Sequence, residues 1–540
     1  MKILKNVLTL LIQIGFILMI SALLILDFFF YNEEDISRWY PNQRLFLYIV
    51  IIFLIICTGY FLLKYFCSKC SFIRRLRRIP FNLDHAVAVC TFALFILQVY
   101  IAYNIYFQTG WDVGGDVLPA ARLLAAGDIA GFVETSADYF SRYPNNIPMT
   151  RFFALLLRWN EDFGVWAGQN ELMCIVTVNC VINALTCFLT YRVIKDLMSW
   201  KAALTGYTLM IALVGLSPWT VITYSDSLAL IFPVAILFLY TRKTECLFLK
   251  CLKFAAIISL ACIGYWIKPQ TVIVAIAIIM IEFIWHLDSF NKKTMMNGLV
   301  ILLVCGICAG AFQGLSLQVH TIPGFDRDEE RTLDMTHFFM MGLNESVNGT
   351  WSGEDIDFSL SQPTLEERHK ANLSEGWKRI VDFGPVGYIR FLAKKLITAY
   401  GDGTFAWAGE GGFWDTMYQP QNDVASPWLR SFYYDTGENY RIWTYTEQLT
   451  WLAVLIFVAC NFMGRRNILG RLCIKNALVI LLALEGLTLY LMLFEVRARY
   501  LYTYVPFFVI LAVSGLRYTV RMLEKTEKIG MVYFRRLIKK

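Results

Sequence analysis

Two carboxylates follow directly after an apolar segment, within residues 110–116 (G-W-D-V-G-G-D). Charge at the edge of a membrane is costly unless it is paired or used. A carboxylate at such a boundary can serve as a general base, with its pKa raised by partial desolvation. Asp112 and Asp116 are therefore the candidate catalytic residues. The alternative for Asp116 is that it caps the helix that follows.

Three cations also lie at the ends of apolar segments. Lys268-Pro269 lies where two apolar segments meet with almost no connecting loop, and Arg497 and Arg499 lie between the last two apolar segments. Arginine binds phosphate through two parallel charge-assisted hydrogen bonds, so we expect these three cations to bind a lipid phosphate. The alternatives are that Lys268 reaches to lipid headgroups and that Glu495 pairs with one of the arginines.

Aromatic and amide side chains are concentrated in residues 139–148 (Y-F-S-R-Y-P-N-N-I-P), where two prolines stiffen the chain. Arg142, Tyr143, Asn145 and Asn146 are candidates for binding sugar hydroxyls. The alternative is an aromatic belt at the membrane surface with ordinary turn residues.

Two further candidates are Asp226, in the sequence Y-S-D at the start of an apolar segment, and His337, in a loop rich in glycine and asparagine. Asp226 could instead cap a helix, and a lone histidine is more often structural. A pair of aspartates could hold a divalent metal, which stays a possible cofactor, but no defined ligand set appears and we assign no metal ligands.

The composition predicts an all-α polytopic membrane protein. Hydrophobic residues make up 57% of the 540 residues and charged residues 17%, whereas soluble domains average about 25% charged. Twelve apolar segments approach the roughly 20 residues that a membrane-spanning helix needs: 7–29, 44–63, 86–106, 172–191, 202–217, 227–240, 253–267, 270–286, 297–316, 447–463, 474–493 and 500–516.

Lysine and arginine set the expected topology. With twelve spans, the basic clusters between spans fall on one side together with both termini, which we place in the cytoplasm, with the protein in the plasma membrane. The net charge of +7 is explained by these clusters, so we expect no nucleic-acid partner. The opposite, outer face receives a first long loop, 107–171, and a second long loop, 317–446.

Both long loops have helical patterns. In the first, 116–126 is amphipathic, Gly127 ends it, and Asp128 can cap a short helix through Val133. In the second, a polar helix over 364–382 is broken at Gly384-Pro385 and resumes over 386–400. These patterns predict short helices near the outer membrane surface.

The six segments described above, in this order and on one face, resemble the GT-C superfamily of membrane glycosyltransferases. The likeness is to bacterial members related to protein O-mannosyltransferases, and to Gram-positive integral membrane proteins with W-D-V-G, Y-F-x-x-Y-P-N-N, Y-S-D, K-P, M-G-L-N and R-x-R-Y elements. It covers about residues 85–517, leaving a two-span extension at 1–84 and a basic tail at 518–540.

The resemblance implies a GT-C-like bundle that moves a sugar from a polyprenyl-phosphate donor to a glycan, glycolipid or protein acceptor on the outer face. It implies an acidic catalytic residue in the first long loop, matched best by Asp112 and next by Asp116. Asp226, Lys268, His337 and Arg499 would line the donor or phosphate site. The superfamily's acidic pair is often adjacent, whereas these aspartates are four residues apart.

Two other functions fit the same residues. A flippase or other transporter of lipid-linked saccharides would concentrate polar residues at the bilayer midplane, and no internal repeat of the kind that many transporters have is visible. A polymerase or ligase of preassembled glycans would also use the outer arginines, with an oligosaccharide donor.

Overall fold

The protein is an all-α polytopic membrane protein. The computed structural model describes residues 2–30, 42–69, 82–166, 168–287, 292–462 and 474–538. Its helices, numbered along the chain, are α1 (Lys2–Phe29), α2 (Asn42–Lys69), α3 (Leu83–Ile105), α4 (Leu118–Ala126), α5 (Ile129–Arg142), α6 (Ile147–Phe163), α7 (Met173–Leu197), α8 (Trp200–Met210), α9 (Ser225–Ala229), α10 (Ile231–Thr241), α11 (Leu247–Ile267), α12 (Ile273–His286), α13 (Lys292–Val319), α14 (Met335–Met341), α15 (Gly353–Leu360), α16 (Leu365–Tyr400), α17 (Ala425–Tyr433), α18 (Tyr440–Cys460), α19 (Ile474–Leu493) and α20 (Val505–Ile538).

Each of the twelve predicted spans falls on a helical segment. In the part of the chain that the structure describes, nine of these segments are long and apolar enough to cross a membrane, and shorter apolar helices cover Asn42–Ile55 and Ser225–Thr241. The predicted span at 202–217 corresponds to α8 and the π-helix Ile211–Gly215 that continues it.

Most of the spans share one hydrophobic core with members from α1 to α20, whereas Leu45 and Ile49 of α2 form a separate small cluster with Leu452 of α18. Helix α13 differs, because none of its apolar stretch is buried, and Leu302, Leu303 and Ile307 are more than half exposed. An apolar surface that covers the whole apolar stretch of a helix is unfavourable in contact with water. We therefore assign this face of α13 to lipid contact.

A two-stranded ribbon fixes the start of the first long loop. Strand β1 (Phe107–Thr109) pairs antiparallel with β2 (Trp414–Met417) of the second long loop. The chain then enters a π-helix, Val113–Val117, that leads into α4. Gly114 is required there, because a Cβ atom would overlap the Thr109 carbonyl. The ribbon and the π-helix together fix the backbone of Asp112.

The helix after Gly127 is longer than predicted. Gly127 ends α4 in the left-handed conformation, and the Asp128 side chain accepts a hydrogen bond from the Gly131 amide, as expected for a cap. The predicted end at Val133 is wrong, because α5 continues to Arg142. It continues because its later residues bury an aromatic face that includes Phe140.

The second long loop is helical where the sequence predicts it. Thr364 caps α16 through the Glu367 amide, and Gly384 interrupts the helix with φ 58° and ψ 172° immediately before Pro385. The last turns of α16 enter the core, where the Tyr400 hydroxyl lies 2.5 Å from the Thr488 hydroxyl of α19.

A buried lysine joins the second long loop to the end of α19. The ammonium group of Lys395 donates hydrogen bonds to the carbonyls of Gly342 (2.7 Å), Met492 (3.0 Å) and Phe494 (2.7 Å). Gly342 itself lies against the Phe494 backbone with no room for a side chain. The segment before Arg497 is therefore held directly against the second long loop.

This contact predicts the effect of adding one methyl group. In Gly342→Ala the new Cβ would lie 2.8 Å from the Glu495 amide nitrogen and closer still to the Phe494 carbonyl, and a backbone cannot rotate away. We expect a loss of about 1–3 kcal/mol in the free energy of unfolding, measured by thermal unfolding in detergent. Gly306→Ala in α13, where a Cβ meets nothing within 4 Å, is the control. Equal unfolding midpoints for the two variants would contradict the packing described.

Candidate functional site

The Asp112 carboxylate is held by two tyrosines from different parts of the chain. The Tyr139 hydroxyl of α5 donates to its Oδ2 atom at 3.1 Å, and the Tyr224 hydroxyl donates to its Oδ1 atom. The Asn146 amide donates in turn to the Tyr139 hydroxyl at 2.5 Å. Asp112 makes no side-chain capping hydrogen bond. Its carboxylate is thus oriented by tertiary contacts rather than by the helix beside it.

Asp116 lies in the π-helix four residues after Asp112 and is half-buried. Burial, and then the negative charge of Asp112, raise the pKa of its carboxyl group above the ordinary value, while Arg142 opposes the shift. The residue that precedes α4 at its cap position is Val117. Asp116 therefore does not cap α4, and that alternative is wrong.

Asp226 and Lys268 form a buried ion pair between the start of α9 and the end of α11. The Asp226 side chain is fully buried, and the Lys268 side chain is 7% exposed. The Lys268 ammonium also lies 4.4 Å from the centre of the Tyr500 ring. The cap position of α9 is Tyr224, which makes no side-chain capping bond, so Asp226 serves as a partner for cations and not as a cap.

Arg499 completes this group. Its Nε atom lies 3.9 Å from the Asp226 Oδ2 atom, and its guanidinium lies 4.5 Å from the centre of the Tyr224 ring and 5.2 Å from that of Trp111. The side chain is buried, yet its Nε and Nη1 atoms have no hydrogen-bond partner among the described residues. Unpartnered buried donors are costly. A buried guanidinium with two unpartnered donor atoms is suited to binding an oxyanion.

Arg497 is more fully neutralised. It forms an ion pair with Glu410, and its Nε atom lies 3.5 Å from the Glu495 carboxylate. The sequence alternative, in which Glu495 pairs with one of the arginines, is therefore correct for Arg497. Its guanidinium lies 5.6 Å from the centre of the Trp111 ring. Arg497 is therefore next to Arg499 but has its own anionic partners.

Trp111 links the aspartates to the arginines. It adopts φ 54°, a left-handed conformation that is rare for a bulky residue and typical of strained functional sites. Its ring contacts Phe413 at a centroid distance of 4.4 Å and lies beside both guanidinium groups. We call the set Trp111, Asp112, Asp116, Tyr224, Asp226, Lys268, Arg497 and Arg499 the charged site.

The candidates in residues 142–146 differ in whether their contacts lead to the charged site. Asn146 reaches it through Tyr139. Burial raises the pKa of Tyr143 to about 12, with Arg142 opposing and Glu495 and Asp112 adding to the shift. Arg142 pairs instead with Asp138 at 2.7 Å.

Asn145 and His337 make no described contact with the residues of the charged site. Asn145 is exposed and donates to Asn146 at 3.3 Å. The buried His337 ring lies 2.8 Å from the Ser359 hydroxyl within the second long loop, and burial lowers its pKa to about 4. Among the contacts of the described residues, none brings His337 to the charged site.

Several residues in the charged site or in contact with it carry no sequence signal of their own. Tyr224 and Trp111 stand beside the candidate aspartates in the sequence, but their contacts with Arg499 join segments hundreds of residues apart. Glu410 lies in a stretch of glycine and aromatic residues that does not indicate an ion pair. Within the described ranges, no group of three or more His, Cys, Asp and Glu side chains is arranged to hold a metal ion.

The chain belongs to a family described as "conserved hypothetical integral membrane protein", which matches residues 2–520. No curated protein and no solved structure matches the chain. The family membership establishes an integral membrane protein, which the helices support.

The buried ion pair predicts a non-additive effect on stability. In Lys268→Met, Asp226 loses its closest cation and keeps only Arg499 at 3.9 Å, so we expect unfolding in detergent to become easier by about 3–5 kcal/mol. Asp226→Asn combined with Lys268→Met should recover most of that loss.

The control is Lys370→Met, which breaks a pair with Glu366 in which both side chains are more than 70% exposed and which should cost at most about 1 kcal/mol. A loss for Lys268→Met no larger than for this control would show that the buried pair is not a required contact.

Proposed function

We propose that the protein is a GT-C-like membrane glycosyltransferase that moves a sugar from a polyprenyl-phosphate-linked donor to a glycan, glycolipid or protein acceptor, with inversion at the anomeric carbon. Four of the six elements that resemble the GT-C superfamily supply residues of the charged site: W-D-V-G, Y-S-D, K-P and R-x-R-Y. The proposal places this site at the outer face of a bacterial plasma membrane, with both termini in the cytoplasm.

The observation that carries the proposal is the state of Arg499. Two of its nitrogen atoms lack hydrogen-bond partners among the described residues although the side chain is buried, and Tyr224 touches both this guanidinium and the Asp112 carboxylate. A phosphate that accepts hydrogen bonds from Nε and Nη1 would therefore lie one tyrosine ring away from a carboxylate. Glycosyl transfer from a lipid phosphate needs a carboxylate for the acceptor hydroxyl and a cation for the departing phosphate.

The reaction is a single displacement. An acceptor hydroxyl oxygen attacks the anomeric carbon while a carboxylate of the site takes its proton. The bond between the anomeric carbon and the phosphate oxygen breaks, and the electron pair leaves with the polyprenyl phosphate. Arg499, with Lys268 and Arg497 nearby, stabilises the negative charge that develops on that oxygen.

The two aspartates have different environments, which suits different roles. Asp112 accepts hydrogen bonds at both oxygens, which hold its carboxylate in one orientation. Burial and the negative charge of Asp112 raise the pKa of the Asp116 carboxyl group, which makes it a stronger base than an ordinary aspartate. An oriented carboxylate suits electrostatic work, and a carboxyl group with a raised pKa suits proton transfer.

A second candidate function is movement of lipid-linked saccharides across the bilayer. Glu485 lies near the middle of the apolar helix α19, and its Oε1 atom is buried without a hydrogen-bond partner in the described residues. Ionisable groups at such depth are typical of transport pathways. A polymerase or ligase would use the same charged site with an oligosaccharide donor.

The first test replaces each aspartate by its uncharged isostere. We expect Asp112→Asn and Asp116→Asn each to lower formation of one surface glycan, by about 10²–10⁴-fold for whichever residue is the base, measured by mass spectrometry of surface glycans from cells that carry only the variant. Asp162→Asn, at an exposed position of the first long loop, is the control. Wild-type glycans from both variants would reject the enzymatic proposal.

The dependence of the rate on pH assigns the base. If Asp116 is the base, the rate falls with decreasing pH as the Asp116 carboxyl is protonated at its raised pKa, and Asp112→Asn moves this fall to lower pH because it removes a neighbouring negative charge. If Asp112 is the base, Asp112→Asn has no measurable rate at any pH.

The second test concerns the phosphate. In Arg499→Ala the free donors are removed, and we expect binding of a short-chain polyprenyl phosphate to nanodisc-embedded protein to weaken by about 10–100-fold, measured by native mass spectrometry. Arg499→Lys should recover only part of the affinity, because lysine lacks the planar pair of donors. Arg158→Ala, exposed in α6, is the control. Equal affinities for Arg499→Ala and this control would remove the phosphate role.

A further inference from the structure

A cavity of about 630 Å³ lies in the second long loop, between residues 343–346 and helices α15 and α16. Its volume is within the range of small-molecule sites, about 300–1,000 Å³. None of the residues of the charged site lines it. Catalysis as proposed above leaves the cavity without a role.

The polar floor of the cavity is already ordered. Asp355 accepts hydrogen bonds from Arg379 Nη2 at 2.6 Å and from the Asn344 amide at 2.8 Å, and Arg379 Nη1 donates to the Met340 carbonyl at 2.9 Å. These bonds tie α14, α15 and α16 together. A ligand would therefore meet a preformed surface and lose little affinity to ordering.

The charge of the lining limits the class of ligand. Five carboxylates and one guanidinium give a formal charge of −4: Glu345, Glu354, Asp355, Glu375, Asp382 and Arg379. A phosphate polymer or an anionic lipid headgroup would be repelled. Carboxylate oxygens are hydrogen-bond acceptors, so hydroxyl groups are suitable partners for them.

Aromatic rings supply the other half of the surface. Phe358 of α15 is 37% exposed and lines the cavity together with Phe383 of α16, whose ring stacks on Phe391 at 4.7 Å. The apolar C–H face of a sugar ring packs on an aromatic ring while its hydroxyl edges reach acceptors. Rings and carboxylates in one cavity therefore match an uncharged saccharide.

The cavity lies one loop away from the charged site. Leu343 of its wall follows Gly342, which touches the Phe494 backbone, and the Val496 amide donates to the Gly349 carbonyl at 3.0 Å. Arg497 is the next residue. A chain bound in the cavity could thus continue past this loop toward Arg497 and the carboxylates.

We propose that this cavity binds an uncharged oligosaccharide segment of the acceptor. That this saccharide is part of the acceptor rests on the proposed glycosyltransferase function. Binding of a saccharide in the cavity does not depend on that function. The cavity would select acceptors by excluding polyanionic glycans.

Binding is tested without any donor, by saturation-transfer-difference NMR on the full-length protein in nanodiscs. The probes are neutral oligosaccharides of glucose, galactose, mannose, rhamnose and N-acetylglucosamine, with poly(glycerol phosphate) as the anionic comparison. We expect at least one neutral probe to bind and poly(glycerol phosphate) to give no signal at the cavity.

Variants test whether the NMR signal comes from a probe bound in the cavity. Phe358→Ala and Glu354→Lys should each weaken binding of that probe by about tenfold or more, whereas Phe163→Ala and Glu161→Lys, at exposed positions of the first long loop, should leave it unchanged. No binding by any neutral probe, equal binding by all four variants, or tighter binding of the anionic polymer would overturn the proposal.

The same measurement on Asp112→Asn protein separates the two proposals. Retained binding with lost sugar transfer supports both. Retained binding in a protein whose transfer is unaffected by both aspartate variants leaves the cavity standing and removes the catalytic proposal. Lost binding in Phe358→Ala with unchanged transfer to the natural acceptor shows that the cavity serves another saccharide and overturns its acceptor role.

Discussion

Burial of charge at one end of the helix bundle is the constraint on which the rest of the structure depends. Asp226, Lys268 and Arg499 are each at most 9% exposed, and an unpaired charge in such a place is severely destabilising. These residues come from three different span ends, so their mutual neutralisation holds those ends together. The Asp226 carboxylate forms a direct ion pair with Lys268, whereas the Arg499 Nε atom lies 3.9 Å from it. The remaining capacity of Arg499 is what makes the site suited to an added anion.

The first long loop is shaped to meet this charge cluster. The ribbon of β1 and β2 and the close packing at Gly114 lead the chain into a left-handed turn at Trp111. That turn places an indole ring beside two guanidinium groups and the following carboxylate against Tyr224. A conformation that costs free energy by itself is retained because cation–π contacts and hydrogen bonds on both sides of it determine the position.

Much of this architecture is predictable from the sequence, for identifiable reasons. Apolar length predicts the spans, and local chemistry predicts the Thr364 cap and the break at Gly384-Pro385. The cations at 268, 497 and 499 stand out because, in the topology expected from the sequence, they would lie on the face opposite to the basic clusters. The pairing of Arg497 with Glu410 and the stacking of Arg499 on Tyr224 are set by tertiary packing between distant segments, which no local pattern encodes. The same holds for the length of α5, whose aromatic face finds its partners only in the folded bundle.

The central claim is that the buried guanidinium of Arg499 receives a lipid phosphate beside an oriented carboxylate. A cryo-electron microscopy structure of the protein with a short-chain polyprenyl phosphate tests this most directly. The account predicts phosphate density within hydrogen-bond distance of Arg499 Nε and Nη1, on the side of Tyr224 that faces Asp112. Phosphate density at the opposite end of the bundle, with Arg499 unchanged, would contradict it.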